Sequence, residues 1–352
     1  MTDLLHDWQQ FLTKQGARFT DEPIAQLTGF NEREADSAPP RDYITVLHDF
    51  GLIAWSGEDA ASFLHNQLTN DIEKLGTAQA RLAGYCTAKG RLLATMTVWR
   101  KDGDIVLQLP RQLQATIQKR LQMFVLRAKA KARDATGEWV VLGLAGDTAA
   151  KTLQTWFPQL PQASFDKVDG DAGVLVRLPS DEAAPRFQWI TSPTFAQQAW
   201  PQLTQALTPV GPQAWRLSDI RAGLPTVTQA TQEQFVPQMI NFELIGGVNF
   251  KKGCYPGQEI VARSQYLGKL KRRMLLATID NADVMPGAEV FAADDPEQPC
   301  GMIVNAERID GRSECLVEIK VAATEAGSIH LGSAQGAPLQ FKPLPYALPD
   351  PS

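Results

Sequence analysis

From residue 251 the chain reads Lys251-Lys252-Gly253-Cys254-Tyr255-Pro256-Gly257-Gln258-Glu259. A thiol, an amide, a carboxylate and two ammonium groups fall around one bend. Two glycines and a proline impose a tight loop. Pro256-Gly257 suits the central pair of a type II turn, in which Gly takes the positive φ. The loop then opens into Gln258 to Arg263, read as a helix with the acid Glu259 in its first turn, where the helix dipole favours it. Cys254 has two readings. It is a small core hydrophobe in a domain-linking turn, or it is a functional thiol whose ionisation Lys251 and Lys252 favour. The residues alone leave both open.

Few other sites compete with this one. Cys86, Cys254, Cys300 and Cys315 are scattered, as are His6, His48, His65 and His330. No two cysteines have CxxC spacing, and no dedicated metal site is expected. There is no phosphate-cradling loop, no dinucleotide fingerprint and no nucleophile elbow. The 352 residues carry a net charge of -5, which does not support general coating of nucleic acid. The run Lys269, Lys271, Arg272, Arg273 invites a tRNA-binding face, but such a run is more commonly a solvated surface. Apolar stretches such as Trp139 to Ala145 fall far short of the roughly 20 residues of a membrane span. The N-terminal segment lacks the basic start and apolar run of a signal peptide. A cytoplasmic protein with no membrane contact is the expectation.

The elements that must position the loop follow from hydrophobic periodicity. Residues 1–40 read as a helix near Leu4 to Lys14 and then a linker ending in Ser37-Ala38-Pro39-Pro40. Strands are expected at Tyr43 to Leu47 and Gly51 to Trp55. A helix follows, carrying Ala60, Phe63, Leu64 and Leu68 on one face. Arg81 to Arg100 reads as a hairpin turning at Ala88-Lys89-Gly90. A strand at Ile105 to Leu109 and a helix at Gln112 to Phe124 come next. From 138 to 209 the order β-α-β-β-α suggests helices layered on an antiparallel sheet. Trp215 to Ala222 reads as a helix, and the chain beyond Arg273 as an all-β domain. The fold class is α+β.

The run Lys252-Gly253-Cys254-Tyr255-Pro256-Gly257-Gln258-Glu259 resembles the K-G-C-Y-x-G-Q-E signature of the YgfZ folate-binding family. Its flanks agree: Phe235-Val236-Pro237-Gln238, Gly246-Gly247-Val248-Asn249-Phe250 and Val261-Ala262-Arg263. Gln67-Leu68-Thr69-Asn70-Asp71 with Ala88-Lys89-Gly90, and the tail Leu344-Pro345-Tyr346-Ala347-Leu348, also resemble that family. The likeness spans about residues 43 to 348.

The resemblance implies a three-domain ring related to the glycine-cleavage aminomethyltransferase. It has antiparallel sheets, a ferredoxin-like middle domain and a C-terminal β-barrel. On this chain the division is 1–40, N-terminal helix and linker; 41–137 plus 210–270, folate-binding domain; 138–209, ferredoxin-like domain; 271–348, barrel. The resemblance also implies tetrahydrofolate or a derivative as ligand. The implied role is that of an accessory factor for assembly or maintenance of iron–sulfur enzymes, including tRNA-modifying ones. Partners would be iron–sulfur client or assembly proteins. Trp215 matches a folate-contact tryptophan, and Phe50 stands at the other such position. Gln238 and Asn241 are candidates to read a pterin edge through their amides. The aminomethyltransferases carry paired acids where this chain has Ala94-Thr95, so aminomethyl transfer is not expected. Asp71 is read as a cap of the segment after it. A one-carbon transferase on an unknown substrate is the alternative function, with Cys254 or Glu259 in the chemistry.

Overall fold

The computed structural model describes residues 2–21, 25–31, 37–180, 184–266 and 270–349. Contacts divide it into two compact units. The first comprises Met1–Ala60, Leu75–Arg81 and Thr97–Ser218; the second comprises Ala61–Lys74, Leu82–Met96 and Asp219–Ser352.

The first unit is organised on a six-stranded sheet. Its order is Lys167–Gly170, Gly173–Leu178, Arg186–Thr191, Val140–Ala145, Tyr43–Val46, Thr208–Pro209. Successive side chains on a strand point to opposite faces, and the core divides accordingly. Leu142, Leu144, Leu175, Phe187 and Trp189 pack with Ala149 and Leu153 of the helix Asp147–Leu153 and with Ala196 and Leu203 of the helix Pro193–Ala206. Val141, Val174, Val176 and Ile190 face the other way, into a cluster that holds Trp99 and Trp215. This is the helix-on-antiparallel-sheet layering expected for the region. The strand Tyr43–Val46 lies in this sheet, whereas its sequence neighbour Phe50–Ser56 pairs with Asp104–Pro110 and Lys131–Asp134.

The N-terminal helix runs Thr2–Lys14 and docks through Trp8 and Leu12, both buried in the first cluster. Trp8 meets Trp200 edge-on at 5.9 Å. The segment read as a linker also carries a small two-stranded sheet, Ala17–Phe19 with Leu27–Phe30. It is short enough for a polar composition to hide it. Lys131–Asp134 was likewise not anticipated, because this edge strand consists of Lys-Ala-Arg-Asp and shows no apolar alternation.

The second unit contains a six-stranded antiparallel sheet curled into a half-barrel. Its order is Ile329–Leu331, Glu289–Ala292, Asp295–Ile309, Arg312–Lys320, Arg272–Ile279, Leu339–Lys342. A bridge between His330 and Pro338 draws the two ends of that order towards each other. Cys300, Ile303, Cys315, Val317 and Ile319 form one core. Met274, Leu276, Val304 and Leu316 form another, shared with Phe235, Ile240, Phe242 and Val261. The second core joins the sheet to the segments on either side of Cys254.

Candidate functional site

The Cys254 loop is assembled from the three separate stretches of the second unit. Pro256-Gly257 forms the expected turn: the Gln258 N–H donates to the Tyr255 carbonyl at 3.1 Å, and Gly257 has φ +80°. Gly257 is required here for a second reason. A Cβ at this position would stand 2.4 Å from the Thr87 carbonyl and 2.5 Å from the Gly90 nitrogen. The turn of the Arg81–Cys86 and Leu92–Lys101 hairpin therefore sits backbone-to-backbone against the thiol loop. The helix beyond it runs Gln258–Tyr266, with Glu259 in the first turn.

Lys252 supplies the second fastening. Its ammonium is buried and donates to the carbonyls of His65 and Leu68, the latter at 2.9 Å. Those carbonyls lie at and beyond the end of the helix Ala60–His65, where the helix dipole favours a cation. The charge also lies 4.7 Å from the centre of the Tyr255 ring, a cation–π contact. Burial lowers the Lys252 ammonium to about 8, while Asp71, Cys254 and Glu73 oppose the shift. Lys252 is thus an anchor and not a surface charge beside the thiol. Lys251 is exposed.

The approach to the loop is held by the Gln67-to-Asp71 stretch. Thr69 Oγ1 donates to the Gly247 carbonyl at 2.6 Å and accepts from the Gly84 N–H at 2.7 Å. Asn70 Nδ2 donates to the carbonyls of Leu82 and Gly246, each at 2.7 Å. Asp71 caps the following turn as expected, its Oδ1 accepting from the Lys74 N–H at 3.0 Å. The same oxygen lies 3.1 Å from His65 Nδ1. Burial works to raise the Asp71 carboxyl, but the Lys74 N–H and the charges of His65 and Lys74 hold it below the usual range.

On this frame Cys254 is exposed, while Cys86, Cys300 and Cys315 are buried. Burial pushes the Cys86 and Cys315 thiols up to about 12 and raises Cys300 as well. Of the two readings of Cys254, the core hydrophobe is excluded. Tyr255 is buried, and its hydroxyl has no hydrogen-bond partner among the described residues. Among those residues no group of three or more His, Cys, Asp or Glu side chains is placed to hold a metal ion.

The residues linked to folate by resemblance are placed differently. Trp215, in the helix Gln213–Arg221, is 1% exposed, with the Arg186 guanidinium 4.6 Å from the ring centre. A Cβ on Gly143 would come within 2.6 Å of the same ring. Phe50 is half-buried and packs on the cluster that contains Trp215. Asn241 is fully buried in a left-handed conformation, φ +56°. Its amide forms a two-point clamp with Met274, donating to the carbonyl at 2.8 Å and accepting from the N–H at 3.3 Å. Gln238 is also fully buried, and its Nε2 donates to the Val261 carbonyl at 2.7 Å. Both amides, expected to read a ligand edge, instead hold the backbone of their own unit.

One further expectation changes. The basic run is not an open cationic face: Arg273 is buried and pairs with Glu243 at 2.5 Å, and Arg272 pairs with Glu318 at 2.8 Å. Lys269 lies outside the described residues. Ala94 and Thr95 are buried, and Thr95 Oγ1 accepts from the Val227 N–H at 3.0 Å. No carboxylate stands at either position. His65 was not anticipated. It reaches the loop across 187 residues of sequence, and no spacing signal connects the two.

A family model for the GCVT N-terminal domain matches residues 31–171. The tRNA-modifying protein YgfZ of Klebsiella pneumoniae (strain 342) is 30% identical over 309 residues, covering 87% of this chain and 94% of the relative. The protein of the same name from Photorhabdus laumondii subsp. laumondii is 32% identical over 311 residues, covering 86% and 92%. The glycine cleavage system aminomethyltransferase T of Bartonella henselae superposes with a TM-score of 0.75 over 97% of this chain and 96% of its own. At 15% identity that likeness is one of fold. With the aminomethyltransferase fold, the uninterrupted Lys252-to-Glu259 motif and relatives matched over nearly their whole length, the chain belongs to the YgfZ family.

Proposed function

We propose that this chain is a cytoplasmic, tetrahydrofolate-binding accessory factor for the assembly or maintenance of iron–sulfur enzymes, tRNA-modifying ones among them. Its working part is the Cys254 loop. The observation that carries the reading is the contrast among the thiols: one is exposed, on a loop fastened by Lys252, Gly257 and the 69–71 stretch, and three are buried. A thiol displayed on a rigid frame suits chemistry or contact with a partner, because little ordering remains to be done when the partner arrives. The name of the relatives, tRNA-modifying protein, is compatible with clients that act on tRNA. Partners are iron–sulfur client or assembly proteins. The paired Arg272 and Arg273 give no support to direct tRNA binding.

Folate enters through the family. Trp215 and Asn241 do not fit a pterin-reading role as they stand, since one ring carries Arg186 and the other side chain is closed on Met274. Gln238 keeps one buried acceptor, Oε1, without a partner among the described residues. In this reading tetrahydrofolate binds through other residues, and the buried Ala94 and Thr95 argue against aminomethyl transfer.

The test is a deletion strain complemented with Cys254→Ser at wild-type protein level. Iron–sulfur enzyme activity and cluster-dependent tRNA modification should fall, while calorimetry on the purified variant shows tetrahydrofolate binding unchanged. Full client activity in that strain would remove the thiol from the function. Failure of the wild-type protein to bind tetrahydrofolate would remove the folate.

A further inference from the structure

His65 stands against the thiol loop, and its ring has one nitrogen that the scaffold just described does not use. The main chain of His65 does the anchoring, through its carbonyl and Lys252. The side chain is 10% exposed and has a different set of neighbours. Nδ1 lies 3.1 Å from Asp71 Oδ1 and 4.0 Å from Glu73 Oε2. The Asp71 carboxyl is held below the usual range, so it is ionised at neutral pH and can only accept a hydrogen bond. Nδ1 therefore carries the proton, which leaves the lone pair on Nε2. Nε2 makes no hydrogen bond among the described residues. It faces Gly253, where a Cβ would stand 3.5 Å away. The next residue is Cys254, and consecutive Cα atoms are about 3.8 Å apart. The charged groups around the ring are Asp71, Glu73, Lys74, whose Nζ lies 3.8 Å from Asp71 Oδ2, and Lys252, which is itself electrostatically coupled to Cys254.

We infer that His65, oriented by Asp71, is the proton acceptor for the Cys254 thiol through one bridging water. The arrangement has the logic of a nucleophile, a base and a carboxylate that fixes the base's tautomer. In the step, the Sγ–H bond breaks and its proton passes to Nε2. The result is a thiolate beside an imidazolium–carboxylate pair. The thiolate then attacks a soft electrophile. With iodoacetamide as probe, the S–C bond forms, iodide leaves with the electron pair of the C–I bond, and the imidazolium returns its proton to solvent. Gly253 fits this use, because even a Cβ there would touch Nε2 at 3.5 Å. The proposal rests on the reading of Cys254 as a working thiol.

The experiment measures the alkylation rate of Cys254 by iodoacetamide against pH, resolved by peptide mass spectrometry in the full chain. Wild type should show a step in its rate–pH curve below the ordinary thiol rise. His65→Gln should lose the lower step and react roughly tenfold more slowly at neutral pH. Asp71→Asn should move the step to lower pH, since the imidazolium loses its counter-charge. A folded His65→Gln protein with a rate–pH curve superposable on wild type overturns the proposal. A second measurement needs no change at His65: the ring is titrated by NMR in wild type and in Cys254→Ser. Its midpoint should shift when the thiol is removed, and an unchanged midpoint also overturns the proposal. The two readings fail separately. Full complementation by Cys254→Ser ends the cellular role of the thiol and leaves the alkylation profile intact. Superposable profiles end the role of His65 and leave the complementation result intact.

Discussion

The two places that the sequence nominates for ligand contact are built in opposite ways. Around Trp215 the functional-looking group is sealed: the ring is 1% exposed, Arg186 covers it and Gly143 admits its edge. Arg186 is itself committed, with Nη2 donating to the Pro179 carbonyl at 2.6 Å. Around Cys254 the frame is sealed and the functional group is displayed. Lys252, Thr69, Asn70 and Asp71 are buried and hydrogen-bonded, while the thiol on the loop is exposed. A large aromatic gains most from full burial, so a tryptophan in an amphipathic setting is drawn into the core. A thiol reacts as its thiolate, which burial disfavours, so it is available for chemistry only where the fold holds it out. Substitutions at the two places should separate stability from function.

The largest effect is expected at Trp215. Trp215→Ala should destabilise the first unit by about 3–5 kcal/mol, the usual cost of emptying a large aromatic site. Urea denaturation would measure it. A well-folded variant with near-normal stability would show that the ring is less embedded than its packing indicates. Gly257→Ala comes next. The added Cβ meets backbone atoms of Thr87 and Gly90, and the backbone has φ +80°. A left-handed alanine and a main-chain clash together should cost about 2 kcal/mol or more. The same variant should loosen the thiol loop, seen as faster amide exchange at Gln258 and Val261.

Asp71→Asn should cost about 1–2 kcal/mol at neutral pH, as charge-assisted hydrogen bonds become neutral ones. Its pH dependence carries the sharper information. The folded carboxyl lies below its unfolded value, so its contribution is fully present above about pH 4 and is lost as pH falls through the folded value. The stability gap between wild type and Asp71→Asn should therefore shrink as pH falls below about 4. A gap that stays constant to low pH would mean that charge plays no part. The smallest effect is expected at Cys254 itself. Cys254→Ser should change stability by less than about 0.5 kcal/mol, as for an exposed position. Under native conditions iodoacetamide should label Cys254 well ahead of Cys86, Cys300 and Cys315, which need unfolding first.

Local chemistry made much of this molecule legible before any coordinates. The type II turn at Pro256-Gly257, the hairpin turning at Ala88-Lys89-Gly90, the cap at Asp71 and the layered helices over Val140–Ala145 all follow from residue types within a few positions of one another. Such features depend on backbone freedom, short-range hydrogen bonds and hydrophobic period, and the sequence states those directly. The family likeness rests on the same kind of contiguous signal. Tertiary structure alone decided the rest. It put the imidazole of His65 against Gly253, turned Lys252 from a neighbour of the thiol into the anchor of its loop, and laid Gly257 on Gly90. It also buried Trp215, Gln238 and Asn241, whose polar or aromatic groups had suggested ligand contact, and paired Arg272 and Arg273 with acids far along the chain. The physical reason is common to these cases. Whether a polar or aromatic side chain faces solvent, a ligand or the backbone of its own fold depends on which distant segments close around it. That closure is driven by the non-directional burial of apolar surface, which leaves no mark at the residue concerned.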